Sequence, residues 1–158
     1  MSMNINVNSL NKAKGSIKIL RTRLNNPKPA FKQIGSYISM YNKKVFATNG
    51  AFGGKPWKPL KPDYMQWKVR SGYPKNILVR TGKLRRSYTS RPMNIEVYLK
   101  NKARYGTKIK YAGYHQSGTS NMPARPVLRA NKKMKEDIGK IVLNYLTGKT
   151  TNIRGMVK

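Results

Sequence analysis

Apolar residues first settle into a pattern at Leu10, Ala13, Ile17, Leu20 and Leu24. Alternating steps of three and four residues place them on one helical stripe, with Lys12, Lys14, Lys18, Arg21 and Arg23 around the rest of the circumference. The spacing predicts a helix over 9–24. Asn25-Asn26-Pro27-Lys28-Pro29 breaks it, because proline disfavours α geometry in the residue before it. Phe31, Ile34, Ile38, Tyr41 and Val45 repeat the spacing and predict a second helix over 30–47. The matched stripes and short link point to an αα-hairpin or an elbow, in which the second helix buries the stripe of the first. A basic amphipathic membrane anchor or an organellar presequence is the less economical reading of the first helix.

Residues 48–75 read as a loop, punctuated by Asn49-Gly50, Gly53-Gly54, Pro56, Pro59, Pro62 and Gly72-Tyr73-Pro74. Trp57, Leu60, Tyr64 and Trp67 are spread through it. Such residues in a basic loop either stack single-stranded bases or pin the loop to the body, and pinning is the expectation. Residues 76–115 read as strands. Ile77-Leu78-Val79 is a short apolar run ended by Thr81-Gly82. Ile95, Val97 and Leu99 alternate with Glu96, Tyr98 and Lys100 as a half-buried strand, and Ile109 to Tyr114 is a further strand. Pro123 and Pro126 make a stiff turn. A last helix over 130–147 places Met134, Ile138, Ile141, Val142 and Tyr145 on one face and stops at Gly148. Residues 1–8 form an Asn-rich arm and 148–158 a basic tail. The expected class is α+β, one domain over 9–147 with a small, mainly antiparallel sheet.

Composition changes the picture most through charge. The 158 residues hold 34 Lys+Arg against 4 Asp+Glu, a formal net charge of +30. Charge of that size repels itself unless an anionic surface neutralises it: nucleic acid, an acidic assembly or an anionic membrane. Hydrophobic residues at 38% are nevertheless enough for a core. No run reaches the ~18 apolar residues that span a bilayer, and the absence of cysteine excludes disulfides and thiolate metal sites.

Candidate chemistry is sparse. The acids are Asp63, Glu96, Glu136 and Asp137. Adjacent helical residues point about 100° apart, so Glu136 and Asp137 do not share a metal; they suit the start of the last helix, where its dipole favours acids. Asp63 after Pro62 opens a nuclease-type motif that Glu96-Val97-Tyr98 fails to complete, since lysine is required at the third position. His115 is the only imidazole and lacks partners for zinc, so it is read as a structural hydrogen-bonding residue. Gly148-Lys149-Thr150 matches only the end of a phosphate-binding loop: position 143 is leucine. No nucleophile with an oriented base is visible. The expectation is a protein that is not an enzyme and uses no cofactor or metal.

Four segments stand in a definite order. They are Gly53-Gly54-Lys55-Pro56-Trp57-Lys58-Pro59-Leu60, Ile77-Leu78-Val79-Arg80-Thr81-Gly82-Lys83-Leu84-Arg85-Arg86-Ser87, Tyr111-Ala112-Gly113-Tyr114-His115-Gln116-Ser117-Gly118 and Pro123-Ala124-Arg125-Pro126-Val127-Leu128. The succession resembles the tailed-phage virion morphogenesis family, also called tail completion proteins, over about 31–145. Structural roles suit these residues. Gly82 supplies a turn, Tyr111, Tyr114, His115 and Gln116 bridge backbone groups, and Pro123 and Pro126 fix the entry to the last helix and leave Arg125 free for a neighbouring subunit.

The resemblance implies a structural virion protein of a tailed bacteriophage, made in the host bacterial cytoplasm and acting in tail completion or head–tail joining. It implies a homo-oligomer, with a hexameric ring as the expected form. Partners would be other neck or tail proteins and packaged DNA, with no membrane involved. Lys83, Arg85, Arg86 and Arg125 are the candidate contacts to anions or neighbouring subunits. The alternative from another class is a sequence-independent nucleic-acid-binding protein of ribosomal or chromosomal type, whose affinity would fall steeply with salt.

Overall fold

The second of the two helices with matched stripes is the spine of the molecule. In the computed structural model, which describes residues 7–158 with side chains from Leu10 onward, α1 spans Val7–Asn25 and α2 spans Lys28–Ala47. α2 buries Ile34, Tyr37, Ile38, Tyr41 and Val45 from its predicted stripe and its neighbours, with Phe31 half-buried at the start. Burying each such side chain contributes roughly 1.5–3 kcal/mol. Pro29 stands in the first turn, where a missing N–H costs nothing.

α2 is surrounded by α4 (Lys83–Thr89), α6 (Lys132–Thr147), α7 (Ile153–Met156) and the hairpin of β1 (Ile95–Tyr98) and β2 (Ala103–Gly106). α3 (Pro62–Arg70) and α5 (Ala112–Ser117) complete seven α-helices among the described residues, and the sheet is two-stranded and antiparallel. The class is α+β, as the sequence predicts. The strands pair with Ile95 opposite Gly106 and Tyr98 opposite Ala103, and the Tyr105 hydroxyl ties the hairpin to α2 by donating to Phe31 O at 2.6 Å.

Polar groups fix how the helices meet. The Asn131 side chain accepts from Met134 N at 2.8 Å as the N-cap of α6, while its amide nitrogen donates to the Tyr41 hydroxyl at 2.8 Å. Asp137, expected to serve the start of that helix, instead lies buried, accepting from the Tyr37 hydroxyl at 2.9 Å and from Lys133 at 3.2 Å. Burial and the Asp137 carboxylate both push the Tyr37 pKa well above the ordinary tyrosine value.

Several expected elements take another form. α1 packs against α6 rather than α2, and its stripe stays in solvent: Leu10, Ile17, Leu20 and Leu24 are all exposed. The elbow is real, but α2 spends its apolar face on the core. The loop over 48–75 contains α3. Ile77-Leu78-Val79 is buried at its two ends but forms a turn, because Leu78 adopts φ +60° and interrupts extended geometry. The strand expected at 109–114 is instead a turn leading into α5, whose first three residues are 112–114, and α5 is closed by Gly118 N donating to Tyr114 O at 2.8 Å. In β1 the faces are exchanged. Val97 and Leu99 are exposed, while the Glu96 carboxylate is buried with Arg91 at 2.9 Å. Gly35 of α2 leaves room for that pair, since a Cβ there would stand 2.9 Å from Glu96 Oε1. Residues 148–158 are not a free tail: α7 returns to α2 and Val157 is buried in the core. The arm expected over 1–8 lies outside the described residues except for its last two, which begin α1.

Candidate functional site

The four ordered segments converge on one cleft of about 660 Å³. Leu60 comes from the first, Thr81, Gly82, Lys83 and Leu84 from the second, Tyr111 and His115 from the third, Pro123 and Arg125 from the fourth. They are distant in sequence and become neighbours through a small set of directed hydrogen bonds.

Trp57 is buried, its ring edge against Phe46 and its Nε1 donating to Pro126 O at 2.9 Å. That bond pins the first segment to the fourth, as expected of this tryptophan. Arg125 makes the reciprocal connection. Its Nε donates to Lys58 O at 2.9 Å and its Nη2 to Pro59 O at 3.0 Å. Arg125 is therefore 6% exposed and engaged within the chain, contrary to the expectation that it stands free for a neighbouring subunit. Two carbonyls offered by a Pro-bounded loop are a better local partner than solvent.

Gln116 bridges backbone groups as its amide allows: Nε2 donates to Leu128 O at 2.6 Å, and Oε1 accepts from Val127 N at 3.1 Å. His115 departs from expectation. Its backbone carbonyl accepts from Arg125 N at 2.6 Å, but the imidazole Nδ1 is buried with no hydrogen-bond partner among the described residues. Burial first, then the Arg125 charge, lower its pKa from the ordinary value of 6.5. The ring is neutral at pH 7 and rests edge-on to Tyr111 at 6.0 Å.

Gly82 stands at φ +75° as the N-cap of α4 and accepts from Arg86 N at 2.8 Å. Leu84 and Ser87 are buried on that helix, and the Ser87 hydroxyl donates to Leu84 O. Ala112 is buried on α5, and Gly118 ends it at φ +81°. Lys83 reaches the rim of the cleft; Arg85 and Arg86 are exposed on α4 but do not line it.

Sequence reasoning missed Lys61, Lys68 and Arg80, which add charge to the cleft. The spacing of Leu60, Tyr64 and Trp67 hints at a helix between the flanking prolines, but it does not signal that Lys68 is the side chain turned inward. No carboxylate lines the cleft, and no group of three or more His, Asp or Glu that could hold a metal occurs among the described residues. Over the whole described chain, Glu96 and Asp137 pair with Arg91 and Lys133, which leaves 32 basic side chains without a carboxylate within 4.0 Å. Among the described residues no helix is long and apolar enough to cross a membrane.

Comparison with known proteins agrees with the resemblance of the four segments to the virion morphogenesis family. The phage virion morphogenesis family matches residues 8–147. The Mu-like prophage FluMu G protein 1 of Haemophilus influenzae (strain ATCC 51907 / DSM 11121 / KW20 / Rd) is 31% identical over 114 residues, covering 72% of this chain and 74% of the relative. No solved structure matches significantly.

Proposed function

The chain belongs to the phage virion morphogenesis family, and from that premise we propose that it is a structural protein of the neck or upper tail that completes the tail or joins it to the head. The observation that carries this reading is the cleft built from four separated segments. Its parts hold one another through side chains that donate to backbone carbonyls: Trp57 to Pro126, Arg125 to Lys58, and Gln116 to Leu128. Such a construction supports a role in presenting a surface to a neighbour.

Assembly as a ring of six copies is part of the proposal. The β1–β2 hairpin has a free outer edge on each strand among the described residues, with Val97 and Leu99 exposed beside it. Unpaired edges of this kind are ready templates for pairing with another chain. The excess of unpaired cations then meets packaged DNA or an acidic neighbouring ring, and Lys83, Arg85 and Arg86 are exposed for that contact.

The test is position in the particle. With a gold-binding tag on the chain, electron micrographs of purified virions are expected to show label at the head–tail junction or upper tail. Label spread over the capsid, at the distal tail tip, or absent from purified particles would overturn the reading.

A further inference from the structure

α3 is built inside out. Its buried residue is a lysine, Lys68 at 2% exposed, whereas Tyr64 and Trp67 are 43% and 46% exposed. An ordinary surface helix does the reverse. Lys68 Nζ donates to Asn76 O at 2.6 Å, which holds the helix in this orientation. Tyr64 and Trp67 stack with ring centroids 5.4 Å apart, Trp67 continues to Tyr73 at 5.9 Å, and the Arg80 guanidinium lies over Tyr73 at 5.7 Å. The result is an ordered aromatic ledge facing solvent. A contiguous exposed aromatic surface is a marker of an interaction site, unlike a lone exposed apolar residue.

The ledge continues into the cleft, because Tyr64 and Arg80 belong to both. Leu60, Leu78, Val79, Leu84, Met122 and Pro123 supply an apolar floor, and Lys61, Arg80 and Lys83 add cations. Leu78 holds φ +60°, a conformation unfavourable for a branched side chain and one that places it in the wall of the cleft.

We propose that this cleft and ledge receive a peptide segment of another protein, in which an aliphatic or aromatic side chain enters the apolar floor and neighbouring Asp or Glu residues meet Lys61, Arg80 and Lys83. An apolar anchor in a concavity, surrounded by charged contacts, is the usual economy of a protein interface. The occupant is not a second copy of this chain. Of its four acids, Glu96 and Asp137 are already paired internally, and Asp63 and Glu136 are isolated from each other. Duplex DNA offers phosphates but nothing apolar for the floor. A single strand could stack on the ledge and still leave that floor empty.

This inference rests on the virion reading only for the source of the segment. Peptide binding is measured on the purified chain, so its failure leaves the position of the protein in the particle to be decided separately. The full chain is applied to an array of random nonapeptides at about 0.15 M salt. Bound sequences are expected to share an apolar position flanked by acids. For the best of them as a free peptide, Arg80→Glu/Lys83→Glu is expected to weaken binding about tenfold or more. Trp67→Ala is expected to weaken it severalfold, with the thermal midpoint lowered by no more than a few degrees because the ring packs only against Tyr64 and Tyr73 at the surface. Lys18→Glu/Arg21→Glu on α1 removes the same charge away from the cleft and is expected to leave binding unchanged. Enrichment in acids without an apolar position, no enrichment at all, or equal losses from the two charge pairs would overturn the proposal. So would an oligothymidine strand that competes fully with the selected peptide.

Discussion

Gly118 joins α5 to the turn that carries Pro123, and its backbone geometry is demanding. Its φ is +81°, and a Cβ there would stand 2.8 Å from Ala124 N and 3.0 Å from Met122 O. Gly118→Ala is expected to cost about 1–3 kcal/mol in urea unfolding. Asp137→Ala has a different cause and a similar size. It leaves the buried Tyr37 hydroxyl without its acceptor, a loss of about 1–3 kcal/mol that a thermal melt would read as several degrees. The pH dependence has two limits. His115 has a folded-state pKa below 6.5, so the stability it contributes is complete above that pH and declines as pH falls below it. Tyr37 and Tyr105 have raised pKa values through burial, so their contribution is complete below about pH 10 and is lost as pH rises above it. Denaturant midpoints across pH should therefore fall on both sides, and His115→Gln should flatten the acid side.

Among the elements, α1 is the most separable. Its stripe is exposed, and the hydrogen bonds that tie its end to the body are Arg23 to Leu146 O and the Tyr145 hydroxyl to Asn26 O. Removing residues 1–22 is expected to leave circular dichroism of the remaining helices intact and to shift the thermal midpoint by only about 2–4 °C. A collapse of the fold would show that α1 contributes to the core. Long helices were legible in the sequence because periodicity survives over many turns: α2 and α6 carry the stripes that define them. Short elements were not. Ile77-Leu78-Val79 and Ile109–Tyr114 have strand-like residues, yet Leu78 turns the chain and Gly118 closes α5 after six helical residues. The exchanged face of β1 has a more specific cause. Alternation shows that two faces differ, but the room left by Gly35 and the donors Arg91, Met93 N and the Tyr98 hydroxyl decide that Glu96 goes inward. The ordered segments announced that a site exists. The inverted burial of α3, with Lys68 in and Trp67 out, gave no sequence signal.

For the whole molecule, the governing fact is that 32 basic groups, all but a few of them at the surface, lack a carboxylate partner among the described residues. Raising salt from about 0.1 to 1 M is expected to increase the thermal midpoint of the isolated chain, since screening relieves that repulsion. A midpoint that falls with salt would mean that favourable ion pairs dominate instead. Under the same screening, after nuclease treatment, light scattering is expected to give a discrete mass near six times the 18.0 kDa of one chain. The proposed role is open to a more direct test than copy number, since it requires the chain for completing or attaching the tail. Deleting its gene from an inducible phage and examining the lysate by electron microscopy tests that requirement in one step. DNA-filled heads alongside separate or aberrant tails are expected, with joined particles restored when the chain is supplied from a plasmid. Intact infectious particles without the chain, or empty heads showing a failure of DNA packaging, would contradict the proposed role.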